Sequence, residues 1–151
     1  MNKIVLIEPE IPQNTGTIAR LCAATNSELI LVGTLGFSLE DKYLKRAGLD
    51  YWEYVNWSHI PTKNAFFEQL DEYGVQPWLL STKGKTKYTE VNYSKDNMLI
   101  FGSETRGLSE DIRNTYSQNV ITIPMVNRNI RSLNLANSVS IVLYEAIRQN
   151  S

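Results

Sequence analysis

The chain has 151 residues, 42% of them hydrophobic and 21% charged, with a net charge of −1 and an isoelectric point near 5.9. These values describe a single globular domain, residues 1–151, and argue against a surface coated in positive charge for nucleic acid, while leaving room for a local basic patch. No apolar run approaches the ~20 residues of a membrane span, and the lone cysteine, Cys22, forbids an internal disulfide, as expected of a reducing cytoplasm.

The opening segment, MNKIVLIEPEIP, lacks the long apolar region of a signal peptide and reads as a first strand built on IVLI, Ile4–Ile7. NTGTIARLCAAT follows as a helix, with Ile18, Leu21, Cys22 and Thr25 at helical spacing behind a capping Asn14 or Thr15. Cys22 falls on its apolar face and reads as core rather than nucleophile. ELILV (Glu28–Val32) is a second strand closed by Gly33. Asp41–Ala47 reads as a short helix, and YWEYVNW (Tyr51–Trp57) as an alternating strand. His59 follows as a surface or packing residue. Lys63–Tyr73 is helical up to Gly74. PWLLS (Pro77–Ser81) and MLIFG (Met98–Gly102) are buried strands, with a short helix near Ser109–Asn114. VITIP (Val120–Pro124) is the last strand, and the last helix runs from about Leu133 to Gln149.

Strands separated by helices predict an α/β fold, a mostly parallel sheet flanked by helices on both faces. In such sheets ligands bind at the carboxyl ends of the strands. The loops after Ser81, Gly102 and Pro124 carry LSTKG, GSETRG and PMVNRNIRSLN, the polar, glycine-bearing stretches of the C-terminal half. Lys83, Lys85 and Lys87, with Arg128 and Arg131, are candidate nucleic-acid contacts or else solvated loop charges.

Several chemistries fail on inventory. One histidine and one cysteine cannot build a His/Cys metal cluster, so no metal is expected. No Gly-x-Ser-x-Gly elbow is present. Gly102 and Gly107 have the spacing of a phosphate loop, but Leu108 and Ser109 stand where lysine and a hydroxyl residue are required. What remains suits a ligand with an adenine and a ribose. Leu80, Ile123 and Leu133 offer apolar walls, and Ser132 and Asn134 either cap the last helix or bind that ligand.

Three stretches, EPEIPQNTGTIARLC (Glu8–Cys22), IFGSETRGL (Ile100–Leu108) and IPMVNRNIRSLNLANSVSIVLYEA (Ile123–Ala146), together resemble the three motifs of the SPOUT superfamily of RNA methyltransferases. More narrowly, the chain resembles the small tRNA (cytidine/uridine-34)-2′-O-methyltransferases of leucine tRNAs. The likeness runs over essentially the whole chain. It implies a C-terminal deep trefoil knot, S-adenosyl-L-methionine held among the knot loops, and a homodimer that binds tRNA without a separate RNA-binding domain. Carried over by motif, Leu80, Gly102, Ile123 and Ser132 match cofactor contacts, with Met125 and Leu133 as further walls. Arg20 matches the residue proposed to handle the ribose hydroxyl, and Asn14, Glu104 and Asn134 match polar residues of the reaction centre. Tyr144 matches a position implicated in RNA binding, alongside Lys83 and Arg131. Three departures stand out: VNRNI is one residue longer than the usual loop, Ser103 replaces a frequent proline, and the RNA-binding extension of some larger SPOUT enzymes is not expected here.

Three rival readings have distinct signatures. An RNA-binding module of the same fold would bind tRNA without cofactor. A methyltransferase for ribosomal RNA or another tRNA ribose would place its methyl elsewhere. An adenosine-binding protein would need no RNA at all.

Overall fold

Apolar strand runs that alternate sides need cover on both faces, and the chain supplies it with helices packed front and back. The computed structural model describes the backbone of residues 1–151 and every side chain except those of Lys45 and residues 47–51. The strands are Lys3–Ile7 (β1), Glu28–Val32 (β2), Asn56–Ile60 (β3), Gln76–Leu80 (β4), Thr86–Lys87 (β5), Asn97–Phe101 (β6) and Val120–Thr122 (β7). The helices are Pro12–Thr25 (α1), Lys42–Gly48 (α2), Lys63–Glu68 (α3), Glu110–Thr115 (α4) and Leu135–Gln149 (α5). The strands form one seven-stranded sheet in the order β3-β2-β1-β6-β4-β7-β5, and every pairing in it is parallel.

The period-two alternation of a strand divides the core cleanly. Ile4 and Leu6, Leu29 and Leu31, and Leu99 and Phe101 point to one face, where Ile18 and Cys22 of α1 and Val139, Val142 and Leu143 of α5 cover them. Val5 and Ile7, Ile30 and Val32, and Met98 and Ile100 point to the other, against Phe66, Leu70 and Leu108. At about 1.5–3 kcal/mol for each large side chain taken out of water, these two layers dominate the favourable side of folding.

Local chemistry sets several boundaries, some of them away from the sequence expectation. Pro12 opens α1, where its missing N–H and fixed φ suit the first turn. Neither Asn14 nor Thr15 caps the helix; both are buried inside it, and the cap residue Ile11 makes no side-chain cap bond. YWEYVNW does not form a strand. Leu49–Tyr54 is a 3₁₀ turn, and β3 starts at Asn56. Lys63–Tyr73 divides into α3 and a 3₁₀ turn, Leu70–Tyr73, before Gly74 takes a left-handed φ of 64°.

The C-terminal half positions the site. β7 enters the sheet between β4 and β5, two strands that precede it in the chain. Gly84 makes this passage possible, because a Cβ there would lie 2.9 Å from the Ile121 carbonyl carbon. α5 then returns to the β1/β6 face and is tied down at its end. Gln149 donates to Val91 O at 3.1 Å and accepts from Tyr93 N at 3.0 Å, and Asn150 donates to the carbonyls of Tyr93 and Ser94 at 3.1 and 3.0 Å. No helix among the described residues is long and apolar enough to cross a membrane.

Candidate cofactor and RNA site

The loops after β4, β6 and β7 converge on one cavity of about 540 Å³. Leu80, Ser81 and Lys83 come from the first, residues 102–108 from the second, and Ile123, Met125, Arg131, Ser132 and Leu133 from the third. The apolar members form walls and the glycines and hydroxyl residues leave backbone exposed between them, a lining suited to a purine nucleoside.

The second loop is folded tightly on itself. A Cβ at Gly102 would lie 2.1 Å from the carbonyl carbon of Gly107 and 2.4 Å from Leu108 N, so no side chain fits there. Gly107, at φ 65°, returns its N–H to Ser103 O at 2.9 Å. Ser103 supplies its hydroxyl to the turn, accepting from Arg106 N at 3.3 Å.

Glu104 projects from this loop to the start of α1. Its carboxylate accepts from Glu10 N at 2.8 Å and Ile11 N at 2.7 Å, providing what the missing side-chain cap does not. It also accepts from Asn14 Nδ2 at 3.3 Å. Asn14 Oδ1 in turn accepts from Asn134 Nδ2 at 3.0 Å, and Asn134 Oδ1 caps α5 by accepting from Asn137 N at 3.2 Å. A four-member relay therefore ties the β6 loop, α1 and α5 together. Glu10 reciprocates on the other side: its carboxylate accepts from the Thr105 hydroxyl at 2.6 Å. The hydroxyls of Thr105 and then Ser103 hold its pKa below the usual carboxylate range.

Of the residues singled out in the sequence, the cavity brings together Leu80, Gly102, Ile123, Met125, Ser132, Leu133, Lys83, Glu104 and Arg131. Asn14 and Asn134 stand behind it, in the relay. Arg20 lies exposed on α1 and Tyr144 is 53% exposed on α5, and neither lines the cavity of this single chain. Asn134 is a helix cap, whereas Ser132 faces the cavity. His59 is a surface residue of β3, with Nε2 at 2.8 Å from Gly33 O, and Cys22 is core, its thiol pushed up to about 12 by burial. Among the described residues no group of three or more His, Cys, Asp or Glu is placed to hold a metal ion.

Two charged residues of the cavity are not singled out by the sequence. Arg106 lies within the ETRG run yet carries no recognisable pattern of its own. Arg113 reaches the cavity only through the packing of α4, where its Nε donates to Leu108 O at 3.3 Å. A second hollow, about 680 Å³, opens across the β6 loop beside Glu8, Glu10 and Lys63 and shares Arg106 and Gly107 with the first.

Comparisons with known proteins agree with this geometry. The profile of the SpoU rRNA Methylase family matches residues 1–144. A tRNA (cytidine(34)-2′-O)-methyltransferase from Methylovorus glucosotrophus is 48% identical over 151 residues, covering 99% of this chain and 96% of that protein. A solved structure reporting on 2-OH methylation of C/U34 on tRNA superposes with a TM-score of 0.93 at 41% identity, covering 99% of this chain and 96% of that one. An AdoMet-bound rRNA methyltransferase from Sinorhizobium meliloti superposes with a TM-score of 0.87 at 28% identity, over 97% of this chain and 56% of that one.

Proposed function

The chain belongs to the SpoU rRNA methylase family, and from that premise we propose that it is a tRNA 2′-O-methyltransferase. It transfers the methyl group of S-adenosyl-L-methionine to the ribose hydroxyl of nucleotide 34, the wobble position, of leucine tRNAs. The observation that carries this reading is the convergence of six residues, Leu80, Gly102, Ile123, Met125, Ser132 and Leu133, on one cavity at the carboxyl end of the sheet. Each was expected there for the cofactor. The names of the relatives support the reaction and the position; the leucine isoacceptors come from the sequence resemblance alone.

The residues present fit the cofactor. Leu80, Ile123, Met125 and Leu133 are apolar walls for an adenosine, and the β6 loop packs so closely at Gly102 that backbone rather than side chain faces the cavity. When bound, S-adenosyl-L-methionine supplies a methyl group already activated by its sulfonium. The protein's task is then alignment. Glu104, Asn14 and Asn134 act as positioning residues, because their polar groups are committed to one another and fix the β6 loop against α1 and α5. Arg20 stabilises the negative charge that develops on the ribose oxygen, since a guanidinium does not give up its proton in a protein and cannot be the base.

The working unit in this reading is a cytoplasmic homodimer. Arg20 and Tyr144 are exposed on α1 and α5, two helices that pack together, and both lie outside their own chain's cavity. In the dimer, Arg20 of one subunit faces the cavity of the other. The C-terminal trefoil knot belongs to the same reading, supported by the passage of β7 between β4 and β5 and by the tether from α5 to residues 91–94.

Transfer of labelled methyl from S-adenosyl-L-methionine to tRNA from cells lacking the protein, followed by nuclease mapping, tests this directly. Label in a 2′-O-methyl nucleotide at position 34 of leucine tRNA is the expected result. Label at another nucleotide would overturn the substrate. No label, with cofactor binding intact, would overturn the enzyme.

A further inference from the structure

We infer that Arg106 and Arg113 form, with Lys83 and Arg131, an anion clamp on the cavity wall that grips a phosphate of the RNA strand delivering the target nucleotide. The inference rests on the methyltransferase reading above and adds two residues to it. It begins from a charge imbalance. Four cationic side chains line the cavity, against one carboxylate, Glu104. That carboxylate is already occupied by the N–H groups of Glu10 and Ile11 and by the Asn14 amide. S-adenosyl-L-methionine does not balance the surplus, because it carries a sulfonium and an ammonium against a single carboxylate. A cavity with this excess needs a polyanion, and a strand of phosphates is the polyanion that a ribose methyltransferase meets.

The two arginines are suited to it in different ways. Arg113 is pre-positioned: Nε donates to Leu108 O at 3.3 Å, which anchors the guanidinium and leaves its two Nη groups for a ligand. Glu110 and Asp111, on the same short helix, lie in its first turn and do not line the cavity. Arg106 is exposed and lines both hollows, so a strand that passes from one to the other crosses it. Its charge acts on the Glu10 carboxylate, which the Thr105 hydroxyl already holds at 2.6 Å. Bound to phosphate oxygens, these four cations set the register and affinity of the strand, which phosphate contacts do without reading its sequence.

The test compares the wild-type protein with Arg106→Gln, Arg113→Gln and the double variant in three measurements. These are the affinity for an anticodon stem-loop RNA over a potassium chloride series, the affinity for S-adenosyl-L-methionine by calorimetry, and the thermal midpoint. Each single variant is expected to flatten the plot of log affinity against log salt by about 0.7 to 1. Cofactor affinity and the thermal midpoint should stay at the wild-type value, and Arg113→Lys should restore most of the slope. An unchanged slope overturns the clamp. A loss confined to cofactor affinity also overturns it and reassigns the arginines to the cofactor's carboxylate. Wild-type protein that binds RNA with the expected slope but places no methyl at position 34 would sink the enzymatic reading and leave the clamp standing.

Discussion

The side-chain amide of Asn134 donates to that of Asn14 at 3.0 Å, a contact between residues 120 positions apart in the chain. Chemistry fixes the direction of every bond in the relay. A carboxylate only accepts, so Asn14 must turn Nδ2 to Glu104 and Oδ1 to Asn134. Removing either amide strands its partner, and Asn14 is buried. Asn14→Ala and Asn134→Ala are each expected to cost about 1–3 kcal/mol of stability. In a urea-unfolding cycle the double variant should fall short of the sum by about 0.5 kcal/mol or more. Strict additivity would show that the two amides are not coupled.

Gly102→Ala places a methyl group 2.1 Å from backbone carbon, a contact that only displacement of the β6 loop relieves. Because residues 102–108 form one wall of the cavity, cofactor binding should fall at least tenfold by calorimetry. The chain should remain folded, since Leu108 is the one residue of this loop that belongs to a core layer. A variant that binds as tightly as wild type would mean that the loop position does not matter to the ligand.

Acid should loosen the end of α5. The Arg148 guanidinium, helped by the Gln149 amide, lowers the Glu145 pKa from the ordinary 4.5 to about 2. A carboxyl group with a depressed folded-state pKa stabilises the fold when ionised, fully so above its unfolded value, and loses that contribution as pH falls through the folded one. Glu145→Gln should therefore flatten the decline of stability between about pH 4.5 and pH 2. Denaturant midpoints measured across that range check it, and parallel curves for the two proteins would exclude the effect.

Cys22 should be silent toward thiol reagents in the native protein. It is fully buried on α1, and burial alone pushes its thiol up to about 12. At pH 8 a chromogenic disulfide should react only after denaturant is added. Rapid native reaction would mean that α1 opens readily from the sheet.

The readable parts of the sequence were those where one local signal decides the outcome. ELILV became β2 with the bounds read for it, Glu28–Val32, because an apolar run closed by Gly33 leaves no competitor. β3 was misplaced for the opposite reason. It is an edge strand with four exposed residues, so it lacks the apolar pattern that YWEYVNW imitates just before it. β5 is two exposed residues, held by pairing with β7, and no local rule reveals it. At α1 the start expected behind Asn14 or Thr15 falls two to three residues late, since Pro12 opens the helix and its cap lies 93 residues away in Glu104. The cavity's apolar wall was legible through motif and loop position. Arg113 was not, because only the packing of α4 brings it there.

The passage of β7 between β4 and β5 has a further meaning for the life of each copy of the protein. The cavity's final side, Ser132 to Ser138, is synthesised after every other wall. A copy that stops short of α5 lacks Leu135 and Ser138 from the cavity lining and Val139, Val142 and Leu143 from one core layer. The cavity is therefore complete only in a chain made through α5.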